Sequence, residues 1–332
     1  MPELRLNLIT REWVVIDTEK SKKPKDFISQ AEVKRKVLFL AQCPFCPGNE
    51  SRTPDELYRL DDETGWKIRV VPNKFGRLSR EGEKIRCTLG LKKRASGIGI
   101  SEIVIESPIH SHTIATMSLT DTVKVLQTYR DRFVHTHQDP RVEHVIIFKN
   151  YGPASGTSIT HPHSQIVGIP VIPMEIRDRI SSYMRFFDEN GDCLVCQTLD
   201  DELRDGIRTL FTTEHFVSFV PYAALSPFHI WVYPKRHSGS FADIRSEELQ
   251  DLAKNLKSTM SSLYYGLQNP DLNYIIRSSK PSDAGSEYQH WYLSIVPRVW
   301  AGSGFELGSG IYVNPLLPEL SAEFLRSVAV PE

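Results

Sequence analysis

The chain has 332 residues, of which 40% are hydrophobic, 10% aromatic and 24% charged. That suffices for roughly two packed domains and excludes a disordered or collagen-like chain. Forty basic residues against forty-one acidic leave a net charge of -1, which excludes a broad basic field aimed at nucleic acid or an anionic membrane. No apolar run approaches the ~18 residues of a membrane span, and the first residues carry no secretory pattern, so a cytoplasmic protein with neither nucleic acid nor membrane as partner is expected.

In chain order, Trp13-Val14-Val15-Ile16 reads as a strand added to the sheet of the first half. Cys43-Pro44-Phe45-Cys46-Pro47-Gly48 follows, with a proline behind each cysteine, a tight turn that presents two sulfurs to one ion. A redox pair would instead sit where a helix begins after a strand. Cys87 has no partner near it in sequence and is expected to fill the interior. Glu102-Ile103-Val104-Ile105 is a second strand, and the adjacent His110 and His112 are both candidate metal ligands. Val123, Leu126, Tyr129 and Phe133 recur at helical spacing across Thr120 to Phe133, and His144 to Phe148 is strand-like. Asn150 to Ser158 is a small-residue loop, with Gly152 and Gly156, able to bring backbone amides close to an anion. It leads to His161-Pro162-His163-Ser164-Gln165, where residues two apart share one face of a strand.

The second half repeats this order. After a boundary at Pro170 to Pro173 and a helical stretch from Met174 to Phe187 come Cys193-x-x-Cys196, the strand Ile230 to Tyr233 and His237. A helical face carries Leu249, Leu252, Leu256, Met260 and Leu263 within Ser246 to Leu263; strand-like Tyr274 to Ile276 and then His290-Trp291-Tyr292 follow. His110 to His161 spans 51 residues and His237 to His290 spans 53. Each half therefore offers two thiolates and two imidazoles, the donor set of a structural zinc: Cys43, Cys46, His161 with His110 or His112, and Cys193, Cys196, His237, His290. The halves differ at one telling place. His163 stands two residues beyond His161, whereas Tyr292 stands two beyond His290, so only the first half carries a spare imidazole beside its metal ligand. The expected fold is α+β, two tandem domains at 1–172 and 173–332, each an antiparallel sheet with one long helix.

The Cys43 to Glu50 and His161 to Gln165 segments resemble the galactose-1-phosphate uridylyltransferase family of the histidine-triad superfamily. So do Pro2 to Arg5, Val70 to Phe75, Pro234 to His237 and Phe305 to Gly310. The second thiol pair and the Phe305 loop are closer to the branch that contains a plant ADP-glucose phosphorylase. The resemblance implies two histidine-triad-like domains, a homodimer, and a double displacement in which His163 takes a nucleotidyl group from a nucleotide sugar as a covalent intermediate. A sugar 1-phosphate or phosphate then accepts that group. It prefers His110 as the third ligand and implies zinc in both sites, with iron an option in one. It assigns Ser158 and Gln165 to the transferring phosphoryl group, and Asn73, Lys74, Asn150 and Gly156 to nucleotide binding. Gly304, Phe305, Glu306 and Gly308 are assigned to the sugar phosphate. Lys20, Lys22 and Lys23 stand where the family usually has arginines, and lysine keeps the charge without the planar fork. His229 stands where glutamate is common. UDP-glucose:hexose-1-phosphate uridylyl transfer is the first expectation and adenylyl transfer from ADP-glucose or adenylyl sulfate the second. Hydrolysis, or a non-catalytic nucleotide-binding zinc protein, are the remaining readings.

Overall fold

A computed structural model describes residues 1–19, 21–28 and 37–331. Strands from both halves join in one antiparallel sheet of ten. Its order is Thr209–Thr212, Phe216–Phe219, Ile230–Pro234, Tyr292–Pro297, Leu272–Arg277, His144–Tyr151, His163–Ile169, Ile100–Ile105, Gly65–Pro72 and Tyr58–Asp62. The seam between halves is the pairing of Leu272–Arg277 with His144–Tyr151, which sets Asn273 opposite Asn150. The expected half-sheets are thus edge-to-edge neighbours in one sheet.

The two long helices, Leu119–His137 and Ser246–Gly266, are each a few residues longer than the periodicity predicts. Ser118 caps the first by accepting a hydrogen bond from the Asp121 amide. Both helices lie on the same face and pack on each other. Val125, Leu126 and Phe133 share one core with Leu252, Leu256 and Leu263, and with the sheet residues Val145, Ile147, Ile166, Val232, Ile276 and Leu293. Burying that apolar stripe is what fixes the helices, since amphipathic helices of this length owe most of their stability to packing.

On the opposite face the halves differ. Over the second half the helices Met174–Asn190 and Leu194–Asp205 cover Val217, Phe219, Trp231, Tyr233 and Tyr292. Over the first half the Cys43–Cys46 turn, with Phe45, packs on Trp66, Val71, Ile103 and Ile105. Two expectations are corrected. Trp13–Ile16 does not join the main sheet but lies in a three-stranded sheet between Glu3–Leu6 and a parallel strand, Tyr312–Asn314, because its partner comes from the far end of the chain. Cys87 is exposed, on the hairpin Arg86–Leu89 with Lys92–Ala95, whose residues have no sheet face to bury.

Candidate active site and two metal centres

The Cys43–Cys46 turn, His110 and His161 converge, their ligand atoms all within 4.8 Å of one another. Cys43 Sγ lies 3.6 Å from His161 Nδ1, and Cys46 Sγ lies 3.4 Å from His110 Nδ1 and 3.5 Å from His161 Nδ1. A tetrahedral zinc with bonds of about 2.3 Å to sulfur and about 2.0–2.1 Å to nitrogen sets such edges at about 3.5 Å, so the donor set fits a zinc-like ion. The rings are oriented from behind, as metal-binding imidazoles are. His161 Nε2–H donates to the Ser107 carbonyl at 2.7 Å, and His110 Nε2–H donates to Thr160 Oγ1 at 2.9 Å. His112 turns instead toward Ser107 Oγ, 3.3 Å away, which decides between the two candidates in favour of His110. Burial raises the Cys43 thiol to about 11 and lowers His161 to about 4. The imidazole is therefore neutral and ready to ligate, while the thiol gives up its proton only to a cation.

The second set is built alike. Cys196 Sγ is 3.3 Å from His237 Nδ1 and 3.5 Å from His290 Nδ1, with the rings donating from Nε2 to the carbonyls of Ser286 and Pro234 at 2.9 and 3.0 Å. Here Cys193 caps the helix Leu194–Asp205, the position where a redox pair is expected. Two imidazoles within ligand distance make it a metal set all the same. Cys193 is held low because Cys196, His237 and His290 all hydrogen-bond to it.

His163 opens the strand His163–Ile169 and is 6% exposed. Its Nδ1 lies 2.8 Å from the backbone carbonyl of His161, which fixes the proton on Nδ1 and leaves the Nε2 lone pair free. Burial lowers its pKa, so the ring is neutral and nucleophilic near pH 7. The edge of Phe45 packs against it, centroids 5.3 Å apart. Gln165 points to the same face, and Asn73 Nδ2 donates to its Oε1 at 3.4 Å. Phe148 pairs with Gln165, and extending that antiparallel register by two residues sets Asn150 beside His163.

Gly152 and Gly156 adopt φ of +82° and +90°, the left-handed region, and shape the loop between them. Gly156 and Ser158 are exposed on that loop, free to meet a ligand. The sequence reading missed what holds the loop. Asp271 Oδ2 accepts from the Ala154 amide at 2.6 Å, and a Cβ on Gly152 would lie 1.9 Å from Asp271 Oδ1. Asn273 Nδ2 donates to Asn150 Oδ1 at 2.7 Å and to the Ser155 carbonyl at 3.1 Å, while Arg298 donates to Asn273 Oδ1. The second half thus buttresses the site of the first, a contact across more than 100 residues that no local pattern announces.

A buried network was missed as well. The Glu106 carboxylate accepts from Lys149 and Ser164, and from Tyr129 Oη at 2.5 Å. Burial pushes Glu106 up, but Lys149 and these donors outweigh it and hold the carboxylate low. Its backbone amide donates to Pro162 between the two histidines at 3.2 Å, so the network anchors both His161 and His163 from the helix side.

The remaining expected residues lie apart in their own contacts. Lys23 and Lys74 are exposed, and the Lys23 backbone amide is held by Asp26. Lys20 lies outside the described residues. Lys22 Nζ sits 4.9 Å over the Trp300 ring. Gly304, Phe305, Glu306 and Gly308 form an exposed short helix, Gly304–Ser309, closed by a Ser303–Glu306 capping box. This helix packs against Tyr312–Asn314 of the small sheet.

Comparison with known proteins accords with this architecture. The N-terminal-domain model of the galactose-1-phosphate uridyl transferase family matches residues 1–173 and its C-terminal-domain model matches residues 175–295. The chain belongs to this family. It is a nucleotidyltransferase. An ADP-glucose phosphorylase of Arabidopsis thaliana is 33% identical over 99% of this chain and 93% of the relative. A galactose-1-phosphate uridylyltransferase of Thermotoga maritima is 26% identical over 99% of each. The family resemblance extends to solved structures: that of an Arabidopsis thaliana ADP-glucose phosphorylase with bound ADP-glucose has a TM-score of 0.82, 31% identity and full coverage of both chains. A uridylyltransferase structure at 23% identity, covering 98% of each chain, superposes with a TM-score of 0.75, a likeness of fold. Among the described residues of this family member, no helix is long and apolar enough to cross a membrane.

Proposed function

We propose that this protein transfers a nucleotidyl group from a nucleoside diphosphate hexose through a covalent nucleotidyl-His163. The observation that carries the reading is the buried His163 ring, its Nδ1–H bound to the His161 carbonyl and its Nε2 free. Nε2 attacks the α-phosphorus, a P–N bond forms, and the P–O bond to the hexose 1-phosphate breaks. The carbonyl of His161 offsets the positive charge the ring acquires. A phosphate oxygen of the acceptor then attacks the same phosphorus and the P–N bond breaks, which returns a neutral ring. With inorganic phosphate the product is a nucleoside diphosphate, and with a hexose 1-phosphate it is a new nucleotide sugar. Splitting one displacement in two lets the same ring serve both. Gln165 and Ser158 are the donors for the transferring phosphoryl oxygens; Asn73, Lys74, Asn150 and Gly156 bind the nucleotide, and Lys20 and Lys23 belong to the donor site. In this reading residues 1–172 are the catalytic unit and 173–332 its degenerate copy.

Uridylyl transfer is the first expectation from motifs, but the greater identity to the Arabidopsis phosphorylase across the whole chain favours an adenylyl donor, ADP-glucose with phosphate as acceptor. The match to the Thermotoga protein favours the uridylyl reading as the second. Intact-protein mass after incubation with ADP-glucose or UDP-glucose separates them. An AMP-sized increment lost in His163→Ala is expected; a UMP-sized one selects the second reading, and no increment with either donor overturns the covalent step.

We assign zinc to both Cys/His sets, with iron the alternative in one of them, on the donor chemistry and the edge lengths. When bound, such an ion acts as a structural clamp, since four protein ligands leave no open position. Four thiols serving two metal positions support a reducing, cytoplasmic setting. A homodimer remains part of the reading, supported by Phe305 and Leu307, which are 51% and 91% exposed in the segment assigned to the sugar phosphate. A monomer by sedimentation at micromolar protein would remove it.

A further inference from the structure

The register of Phe148 with Gln165, extended by two residues to Asn150 and His163, has a counterpart in the second half, where Arg277 is paired directly with Tyr292. Tyr292 stands two residues beyond the metal-set His290, as His163 stands two beyond His161. Arg277 and Tyr292 are therefore the positional counterparts of Asn150 and His163. A cavity of about 370 Å³ lies on them, between this face of the sheet and the helix Met174–Asn190. That is within the range of small-molecule pockets, roughly 300–1,000 Å³.

Two buried groups in its wall have unmet hydrogen-bonding capacity. Arg179 is 9% exposed, and its Nε has no partner; Tyr292 is 2% exposed, and its hydroxyl has none. Among the described residues, no ion pair or hydrogen bond holds the guanidinium of Arg179 or of Arg277. The nearby carboxylates leave the hydrogen-bonding fork of each guanidinium unused. Glu143 pairs with Lys84, and Asp283 lies 3.9 Å from Lys280; Glu12 and Glu175 act on Arg179 through space, but neither makes a hydrogen bond or ion pair with its guanidinium. A buried guanidinium without a partner is costly, and a phosphate is the partner its fork fits. One side of the wall is apolar: Ile146, Ile176, Ile180 and Ile275, with the Tyr183 ring, suit a planar or apolar body.

We propose that this cavity is a second, non-catalytic nucleotide site, which holds the phosphate of a nucleoside monophosphate with Arg179, Arg277 and the Tyr292 hydroxyl. The exchange of histidine for tyrosine removes the nucleophile, and the exchange of asparagine for arginine raises the charge that grips the anion. The site binds without reacting, so nucleotide levels reach the protein at a place separate from His163.

The test is equilibrium dialysis of AMP and of UMP against the metal-loaded protein, in wild type, Arg179→Leu and Arg277→Leu, with adduct formation on His163 followed by intact mass in the same preparations. Wild type is expected to bind one equivalent per chain more than either variant, or the variants to bind that equivalent about tenfold or more weakly, as loss of a charge-assisted hydrogen bond implies. Adduct formation is expected to be unchanged in both. AMP is expected to raise the melting temperature of wild type more than that of Arg179→Leu. Equal binding and equal thermal shifts in all three proteins would overturn the proposal. Inorganic phosphate binding the same site as tightly as AMP would overturn its nucleoside part. Absence of the adduct in every preparation would count against the His163 reading and leave this binding result standing on its own.

Discussion

The two halves of this molecule use one plan, a Cys/His set at the start of a sheet strand with a long helix behind, and diverge on the opposite face of the sheet. In the first half a single turn with Phe45 covers that face beside His163. In the second half two helices cover it, and Tyr292 fills the place of the nucleophile beneath them. The difference teaches that the Cys/His set and the helix form a common scaffold, and that, on the proposed mechanism, chemistry depends on one ring two residues beyond a histidine of that set. The halves are also unequal partners: Asp271 and Asn273 of the second hold the loop of the first.

The strongest way to break the comparison is His163→Gly, which should lower turnover by roughly 10⁵–10⁶-fold, the scale seen when a catalytic nucleophile is removed. Metal content by elemental analysis should be unchanged, because His163 is not in the ligand set. Retained turnover would put the nucleophile elsewhere. Next come Cys43→Ser and Cys193→Ser, each expected to lose its own metal equivalent and to melt lower, since metal binding is coupled to folding. Only Cys43→Ser should also lower kcat, because His161 supplies both a ligand and the carbonyl that orients His163. Equal kcat losses in the two would show that the sites are not divided in this way.

Asp271→Ala frees the Ala154 amide and loosens the loop, so kcat should fall by about 10- to 100-fold while metal content stays fixed. The reach of the second half into the first is measured by that number. The smallest effect concerns acid stability. Burial lowers His229 to about 3, with Arg277 adding to the shift, whereas an unfolded histidine titrates near 6.5. The unfolded state therefore takes up the proton first as pH falls, and the native state loses stability below about 6.5. Denaturant midpoints should show a loss of about 2 kcal/mol from this residue between pH 7 and pH 5, and His229→Gln should flatten the slope by that amount. An unchanged slope would mean that His229 is charged in the fold.

The sequence by itself determined the repeat, the long helices, both Cys/His sets and the isolation of His163, because these rest on spacing: 3.6-residue periodicity, paired thiols, and two-residue alternation along a strand. Tertiary structure decided the rest, for reasons of distance along the chain. Asp271, Asn273 and Arg298 meet the Asn150–Ser158 loop only because the two half-sheets join at Leu272–Arg277 and His144–Tyr151. His110 and His112 are near neighbours in sequence, and only the fold turns one ring to the sulfurs and the other to Ser107. Trp13–Ile16 reads correctly as a strand, yet its parallel partner lies some 300 residues away and is not encoded in its own pattern. Cys87 carries no sign of its exposure, since a small apolar residue is read as interior until a hairpin is seen to stand clear of the core. The unpartnered Arg179 is the plainest case: a helix arginine in sequence, and a buried guanidinium over Tyr292 once the helix lies on the sheet.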